Sequence, residues 1–251
     1  MFPAGSVVRR VHGHPGALAG GIRALLVQAL HPLAMAAVAD HTDFRQDAWT
    51  RIERTRDYVR TVTFGTRAQA ATAARRVNAI HRRVTGVDGV TGLSYRADDP
   101  ELLLWVHAVL VDSELTAHHR FGPPLAPGED DAYVREMADA AELVGIPRRM
   151  VPRSAAENLA YLEGVPGLMV TPAARAGLAE LLRPPRRRLV IPLWGVALAA
   201  AISILPEHVR RDYGIRWSPL ADAPVALAMG GLAWAAMHVL PAPPLREPGA
   251  A

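Results

Sequence analysis

The chain contains no cysteine among its 251 residues. This absence excludes disulfides, iron–sulfur clusters, thiolate-ligated haem, cysteine nucleophiles and zinc sites built on thiolates. Any bound metal ion must therefore be held by His, Asp, Glu or Tyr side chains.

Lysine is absent as well, so all 28 basic side chains are arginine. Because guanidinium keeps its proton to very high pH, this explains a pI near 10.1 at a net charge of only +4. The arginines are spread along the chain without an aromatic-and-basic motif, so we expect no nucleic-acid partner.

Stretches of β-branched residues at period two are also lacking, and Pro and Gly separate segments with helical spacing. With 50% hydrophobic and 21% charged residues, the composition is typical of a globular protein. We predict an all-α protein: a single globular helical domain with no substantial sheet. Its expected parts are an N-terminal arm (1–15), the helical domain (16–217), and an apolar C-terminal helix with a disordered tail (218–251), with a hinge at 183–188.

Capping residues and breakers predict where the helices begin and end. A helix beginning near Ala17 should break at His31-Pro32, because proline disfavours helix in the residue before it. Residues 86–97 are predicted to form a glycine-containing loop. The other predicted helices are Gln46–Phe64, Arg67–Thr85, one beginning at Asp99-Pro100, Glu129–Val144, and those beginning at Ser154 and Thr171.

Three long apolar segments raise the question of a membrane. Ala17–Ala39 follows Arg9-Arg10 as an export signal would, but polar residues interrupt it, so we expect a pair of core helices. Leu189–Leu205 and Ala223–Leu240 reach only the lower edge of the roughly 20 residues that span a bilayer. They are predicted to be buried helices, with membrane-surface contact as the alternative. Without a convincing signal, the expected location is the cytoplasm.

Common catalytic motifs are absent: the sequence has no HExxH, G-x-S-x-G, P-loop or GxGxxG pattern. A di-iron bundle needs Glu-x-x-His pairs. Glu114 and His118 are one residue off that spacing, and no second pair exists.

Two of the histidines stand out by their position on a helix. His81 continues the apolar stripe of Ala70, Ala74 and Val77, and His107 lies within the apolar segment LLLWVHAVLV. Most buried histidines are neutral and hydrogen-bonded to a carbonyl or carboxylate. However, an imidazole with one free ring nitrogen is also the ligand that iron or zinc requires. His31, His41 and Asp43 are interpreted mainly as structural.

The segment RIERTRDY places two arginines, a hydroxyl and a phenol on one helix face. Arg51, Arg54, Thr55 and Tyr58 are spaced i, i+3, i+4 and i+7. Such a strip is typical of a solvated edge that pairs with acids, and it is equally suited to clamping a carboxylate or phosphate. The residues alone leave both interpretations open.

Four ordered motifs resemble the DUF2236 family, also called the MpaB-like oxygenase family. Its catalytic domain is shared with the rubber oxygenase known as latex-clearing protein. The resemblance covers about residues 16–217 and ends in RRDYGIRWS. The motifs are QALHPLAMAAVADHTDF, WTRIERT, ARRVNAIHRRVTG and YRADDPELLLWVHAVLVDS.

The resemblance implies a globin-like helical core that holds haem b through a proximal histidine, here His81, with His107 as the second candidate. It also implies that Arg51, Arg54 and Thr55 correspond to an Arg-x-x-Lys-Thr strip. Because guanidinium cannot bind iron, an arginine in place of the lysine implies an open or water-bound distal position assisted by donors from this strip. Arg51 or Arg82 would pair with propionates, and Tyr58 and Val77 would border the cofactor.

The expected function is therefore a haem-dependent oxygenase. It would use dioxygen on a small hydrophobic, unsaturated or isoprenoid substrate. The alternative is a helical protein that binds haem without turnover, or one that binds a membrane or a partner without any cofactor.

Overall fold

The computed structural model describes residues 1–41, 44–183 and 191–238, and these form an all-α protein with one small two-stranded sheet. Two short 3-10 helices, Arg148–Met150 and Pro219–Ala221, complete the elements. The strands are β1 (Thr85–Val87) and β2 (Ser94–Arg96). The helices are α1 (Val7–Gly13), α2 (Ala17–Gln28), α3 (Pro32–His41), α4 (Phe44–Phe64), α5 (Arg67–His81), α6 (Pro100–Phe121), α7 (Glu129–Leu143), α8 (Ala155–Gly164), α9 (Pro172–Leu182), α10 (Ile191–Ser203), α11 (Glu207–Tyr213) and α12 (Asp222–His238).

The capping signals confirm most of the predicted helix starts. The Asp99 side chain accepts the Glu101 backbone N–H at the start of α6, and the Thr171 hydroxyl accepts the Ala174 N–H at the start of α9. The Ser154 hydroxyl accepts the Glu157 N–H before α8. Each side chain satisfies a backbone donor that the first helical turn leaves without a partner.

The region after α5 differs from the prediction. The helix ends at His81 instead of Thr85, and residues 85–96 form an antiparallel hairpin instead of an irregular loop. Gly86 makes the pairing feasible, since a Cβ there would lie 2.5 Å from the Tyr95 hydroxyl. The strands are only three residues long, too short for the alternating pattern that predicts a sheet.

The first residues belong to the packed body, in contrast to the predicted N-terminal arm. Ser6 caps α1, and the helix buries Val7, Val8 and Val11. The Met1 amino group donates to the Val62 carbonyl at 2.7 Å. The seven residues of α1 are too short a stretch for an apolar period to be recognised in the sequence.

The core is organised around the contact between α2 and α6. The α6 segment LLLWVHAVLV is buried on nearly every side, as its uniform hydropathy predicts. From α2, the buried Arg23 guanidinium donates to the Ser113 hydroxyl at 2.6 Å and pairs with Asp112 at 2.7 Å. Its Nε donates to the Ile204 carbonyl at 3.0 Å, so one side chain joins α2, α6 and the end of α10.

The apolar C-terminal helix α12 is only partly covered, with Leu227 and Trp234 exposed. No single described helix is long and apolar enough to cross a membrane. Two bent pairs, α2 with α3 and α10 with α11, qualify by length and composition, with bends of 100° and 116°. Residues 184–188 of the predicted hinge and the predicted disordered tail (241–251) lie outside the described residues.

Gly20 sets how closely α2 approaches α6. A Cβ at this position would lie 2.8 Å from Glu114 Oε2 and 3.1 Å from the Ser113 carbonyl, whereas Gly21 has only Glu114 Oε1 at 4.0 Å. We predict that Gly20→Ala lowers the free energy of unfolding by about 1–3 kcal/mol through overpacking. Gly21→Ala is the matched control, expected to be neutral or to stabilise by about 0.5–1 kcal/mol because alanine favours helix. Urea unfolding checks both, and equal effects would contradict the close contact.

Candidate functional site

A cavity of about 360 Å³ lies between α2, α3, α4, α5, α6 and α9. Its wall is mostly aliphatic, with residues such as Leu25, Val38, Ile52, Leu102, Val106 and Leu178. The side chains on the wall that carry polar groups are Gln28, His41, Arg51, Thr55, His81 and Tyr213. An apolar cavity with a few convergent polar groups is the usual form of a small-molecule site.

His81 lies at the C-terminal end of α5, where the helix meets the cavity wall. Its Nδ1 atom is buried and has no hydrogen-bond partner among the described residues. Burial lowers the pKa of this imidazole, and the Arg51 charge lowers it further, while Asp98 acts in the opposite direction. The ring is therefore held neutral, in the protonation state that a metal ligand needs.

Arg51 and Thr55, one turn apart on α4, line the same cavity as His81. Arg51 is half-buried, and desolvation lowers the pKa of its guanidinium, which nevertheless keeps its charge. The predicted site residues His81, Arg51 and Thr55 are thus brought together from two helices that are separate in sequence.

The other half of the predicted strip on α4 points elsewhere. Arg54 is exposed and does not line the cavity. Tyr58 packs against a core cluster that includes Val62 and Tyr133, and burial raises the pKa of Tyr58 to about 12. The four residues of the strip cover a helix face that is wider than the part of α4 bordering the cavity. Of the four, Arg51 and Thr55 line the cavity.

His41 is a cavity residue that the sequence interpretation treated as mainly structural. Its Nε2–H donates to the Thr85 carbonyl at 3.1 Å, and its ring is edge-on to that of Tyr95. Its place on the wall depends on the 100° bend between α2 and α3, which spacing along one helix cannot reveal. His31 lies next to Trp105, with ring centroids 5.9 Å apart, and does not line the cavity. Asp43 lies outside the described residues.

Val77 and His107 also lie away from the cavity wall. The apolar stripe of α5 that contains Val77 faces the protein core at Ala70, which is buried in a core cluster. Next to Val77, the Asn78 side chain donates to the Leu143 carbonyl at 2.9 Å. His107 is buried within α6, and desolvation lowers its pKa to about 4.

A second buried group of polar side chains lies on the far part of α6. Glu114 and His118 are both buried there, and burial raises the pKa of the Glu114 carboxyl. Burial and the nearby Glu114 charge raise the pKa of Tyr133, and the Tyr133 hydroxyl lies 2.8 Å from His12 Nε2. Among the described residues, no group of three or more His, Asp or Glu side chains is arranged to hold a metal ion, so the di-iron interpretation gains no support.

Comparison with models of known protein families gives a match over most of the chain. A family model described as the catalytic domain of the ER-bound oxygenase mpaB/B' and rubber oxygenase matches residues 9–234. The chain belongs to this oxygenase family. No curated protein and no solved structure matches the chain.

Membership in this family supports an oxygenase-type function. The matched region begins before the domain expected from the motifs and extends beyond it, into α12. It therefore includes part of α1 and most of the apolar C-terminal helix, which agrees with the packing of both onto the helical body.

The buried His107 predicts a dependence of stability on pH. Its pKa is about 4 in the folded protein and about 6.5 when unfolded, so the unfolded state binds more protons between these values. The neutral ring therefore costs no stability above pH 6.5, and the free energy of unfolding decreases as the pH falls from 6.5 towards 4. We predict that this decrease is less steep in His107→Gln than in the wild type, with slopes that differ by about 1.4 kcal/mol per pH unit. Chemical unfolding at several pH values measures this, and parallel curves would contradict it.

Proposed function

We propose that this chain is a haem b-dependent oxygenase that uses dioxygen to oxidise a hydrophobic, unsaturated substrate such as an isoprenoid chain. The observation that carries the proposal is the position of His81. An imidazole with a buried Nδ1 that has no partner among the described residues lies on the wall of a mostly apolar cavity. Such a nitrogen is costly unless a ligand or a small rearrangement gives it a partner.

The residues of the cavity fit a haem group. Aliphatic walls from α2, α3, α6 and α9 suit the apolar macrocycle, His81 offers an axial nitrogen, and Arg51 offers a cation for a propionate. The absence of cysteine excludes a thiolate ligand, and the Tyr213 hydroxyl on the wall already donates to the Leu26 carbonyl at 2.8 Å, so we assign the ligand role to His81. When bound, haem supplies an iron centre at which dioxygen is activated.

The chain's own residues would then divide the remaining tasks. We assign His81 to holding the iron, and Arg51 to anchoring a propionate and keeping His81 neutral. Thr55 is assigned as a hydrogen-bond donor at the open edge of the cavity, because this exposed residue is among those that line it. Arg54 is exposed and would act as a second donor only after its side chain turns inward.

The chemistry of the wall indicates the class of substrate. Beyond the polar residues already described, the lining is aliphatic, so it offers few hydrogen bonds to a polar ligand. Transfer of a hydrocarbon chain from water to this surface is favourable, at about 25 cal/mol for each Å² of apolar area buried. We therefore propose a substrate recognised by its apolar surface, with a carbon–carbon double bond as the position oxidised.

The haem ligand can be tested by absorption spectroscopy. We predict that the protein purified from haem-supplemented cells shows a Soret band and that His81→Ala loses it, because the axial nitrogen is removed. His107→Ala is the matched control: it also removes a histidine in the helical body, but one that does not line the cavity.

The His107→Ala protein should retain the band. Loss of the band in His107→Ala but not in His81→Ala would reassign the ligand. Absence of the band in the folded wild-type protein would remove the haem proposal.

The role of Thr55 can be tested by oxygen consumption. With haem content matched, we predict that Thr55→Val lowers the rate of oxygen uptake with an unsaturated lipid by about tenfold, through loss of one hydrogen bond to developing charge. Thr55→Ser keeps the hydroxyl and should retain most of the rate. Equal rates in Thr55→Val and wild type would exclude this donor role. Haem retention with no oxygen uptake by the wild type on any unsaturated substrate would favour a haem carrier.

A further inference from the structure

The loop of residues 88–93, here called the hairpin tip, joins β1 to β2 and has exposed glycines. A Cβ added to Gly89 or Gly92 would meet no atom within 4 Å. Around this tip, Val87, Val90 and Leu93 are 62%, 53% and 59% exposed. Three large apolar side chains therefore stand together on a hairpin that the described part of the chain leaves uncovered.

The backbone of the hairpin tip is hydrogen-bonded within itself. The Asp88 carboxylate accepts the Thr91 N–H at 2.8 Å, the Thr91 hydroxyl at 2.6 Å and the Val90 N–H at 3.3 Å. The Asp88 N–H donates to the Leu93 carbonyl and the Gly92 N–H to the Asp88 carbonyl, both at 2.8 Å. Since unpaired backbone donors are costly away from water, a loop that satisfies its own donors can enter an apolar environment at low cost.

Two exposed arginines lie at the base of this hairpin. Arg82 and Arg83 connect α5 to β1, and Arg83 forms no ion pair with any other residue that the structure describes. Arg96, on β2, pairs with Asp98 at 3.1 Å, so we assign the headgroup contacts to Arg82 and Arg83. Cations next to an exposed apolar group are the arrangement that binds anionic phosphate headgroups above an acyl layer.

We propose that the hairpin tip docks on an anionic lipid surface. Val87, Val90 and Leu93 enter the interfacial layer, and Arg82 and Arg83 contact the headgroups. The exposed arginines at the base of the hairpin favour an anionic lipid layer as the partner, because their charge complements phosphate headgroups. The surface lies on the hairpin, and is therefore distinct from the apolar C-terminal helix α12.

The base of the hairpin is part of the cavity wall. Val84 and Ala97, which are joined by a backbone hydrogen bond of 2.9 Å, both line the cavity. Docking of the tip therefore brings the cavity next to the bilayer, where hydrophobic molecules dissolve. This consequence for substrate supply rests on the proposed function, whereas the docking itself does not.

Co-sedimentation of the full chain with vesicles tests the proposal. We expect the wild type to bind vesicles of phosphatidylcholine and phosphatidylglycerol more tightly than vesicles of phosphatidylcholine alone. The double variant Val90→Asp, Leu93→Asp should lower that affinity by at least about tenfold, because it puts charge where apolar surface was buried. Leu227→Asp, at a 78% exposed position on α12, introduces one such charge elsewhere and should bind like the wild type.

The contribution of charge is tested separately. Arg83→Glu should lower the affinity for the anionic vesicles and leave binding to phosphatidylcholine vesicles unchanged, and added salt should weaken wild-type binding. Circular dichroism confirms that each variant is folded. Because vesicle binding is read without a haem signal, failure of the haem proposal would leave this result unaffected.

Three outcomes would overturn the docking proposal. The first is a folded wild type that binds neither kind of vesicle. The second is loss of binding in Leu227→Asp with retention in the hairpin variant, which would assign the lipid contact to α12. The third is a change of oligomeric state in the hairpin variant, measured by light scattering without lipid, which would assign the tip to a contact between two copies.

Discussion

The close packing of α2 against α6 is the contact on which the rest of the fold depends. Gly20 allows the two backbones to approach, and Arg23 secures them by reaching Asp112 and Ser113 on α6 as well as the end of α10. A charge buried in this way is tolerated only with an ionic partner and well-placed acceptors, so the three elements must meet in one arrangement. This arrangement also fixes one wall of the cavity, because Leu25 and Leu26, which line it, lie on α2 just after Arg23.

The cavity exists because the chain bends sharply after α2. Pro32 cannot continue the helix, and the next helix turns by 100°, which leaves an opening between α2 and α3 that α4, α5 and α9 surround. Among the described residues, polar groups reach this opening from helix ends and from one turn of α4. The structure therefore combines a mostly apolar interior with a few oriented functional groups, as small-molecule sites usually do.

The sequence allowed the helical class, most helix starts and the pairing of His81 with Arg51 and Thr55 in one site to be predicted. Caps and breakers act locally, so Asp99, Thr171 and Pro32 are readable without knowing the fold. The place of His41 could not be predicted, because it depends on an inter-helix angle that tertiary packing determines. For the same reason, helical spacing alone could not show that Arg54 and Tyr58 face away from the cavity that Thr55 lines.

The hairpin also has a consequence for how this scaffold can change. Asp88 and Thr91 maintain the shape of the loop, while Val90 and Leu93 contribute nothing to that framework beyond their backbone. The exposed side chains can therefore be exchanged without disturbing Val84 or Ala97 at the cavity wall. The exposed surface of the loop and the wall of the cavity are formed by separate residues, so the loop can be redesigned or grafted as an independent unit while the interior stays constant.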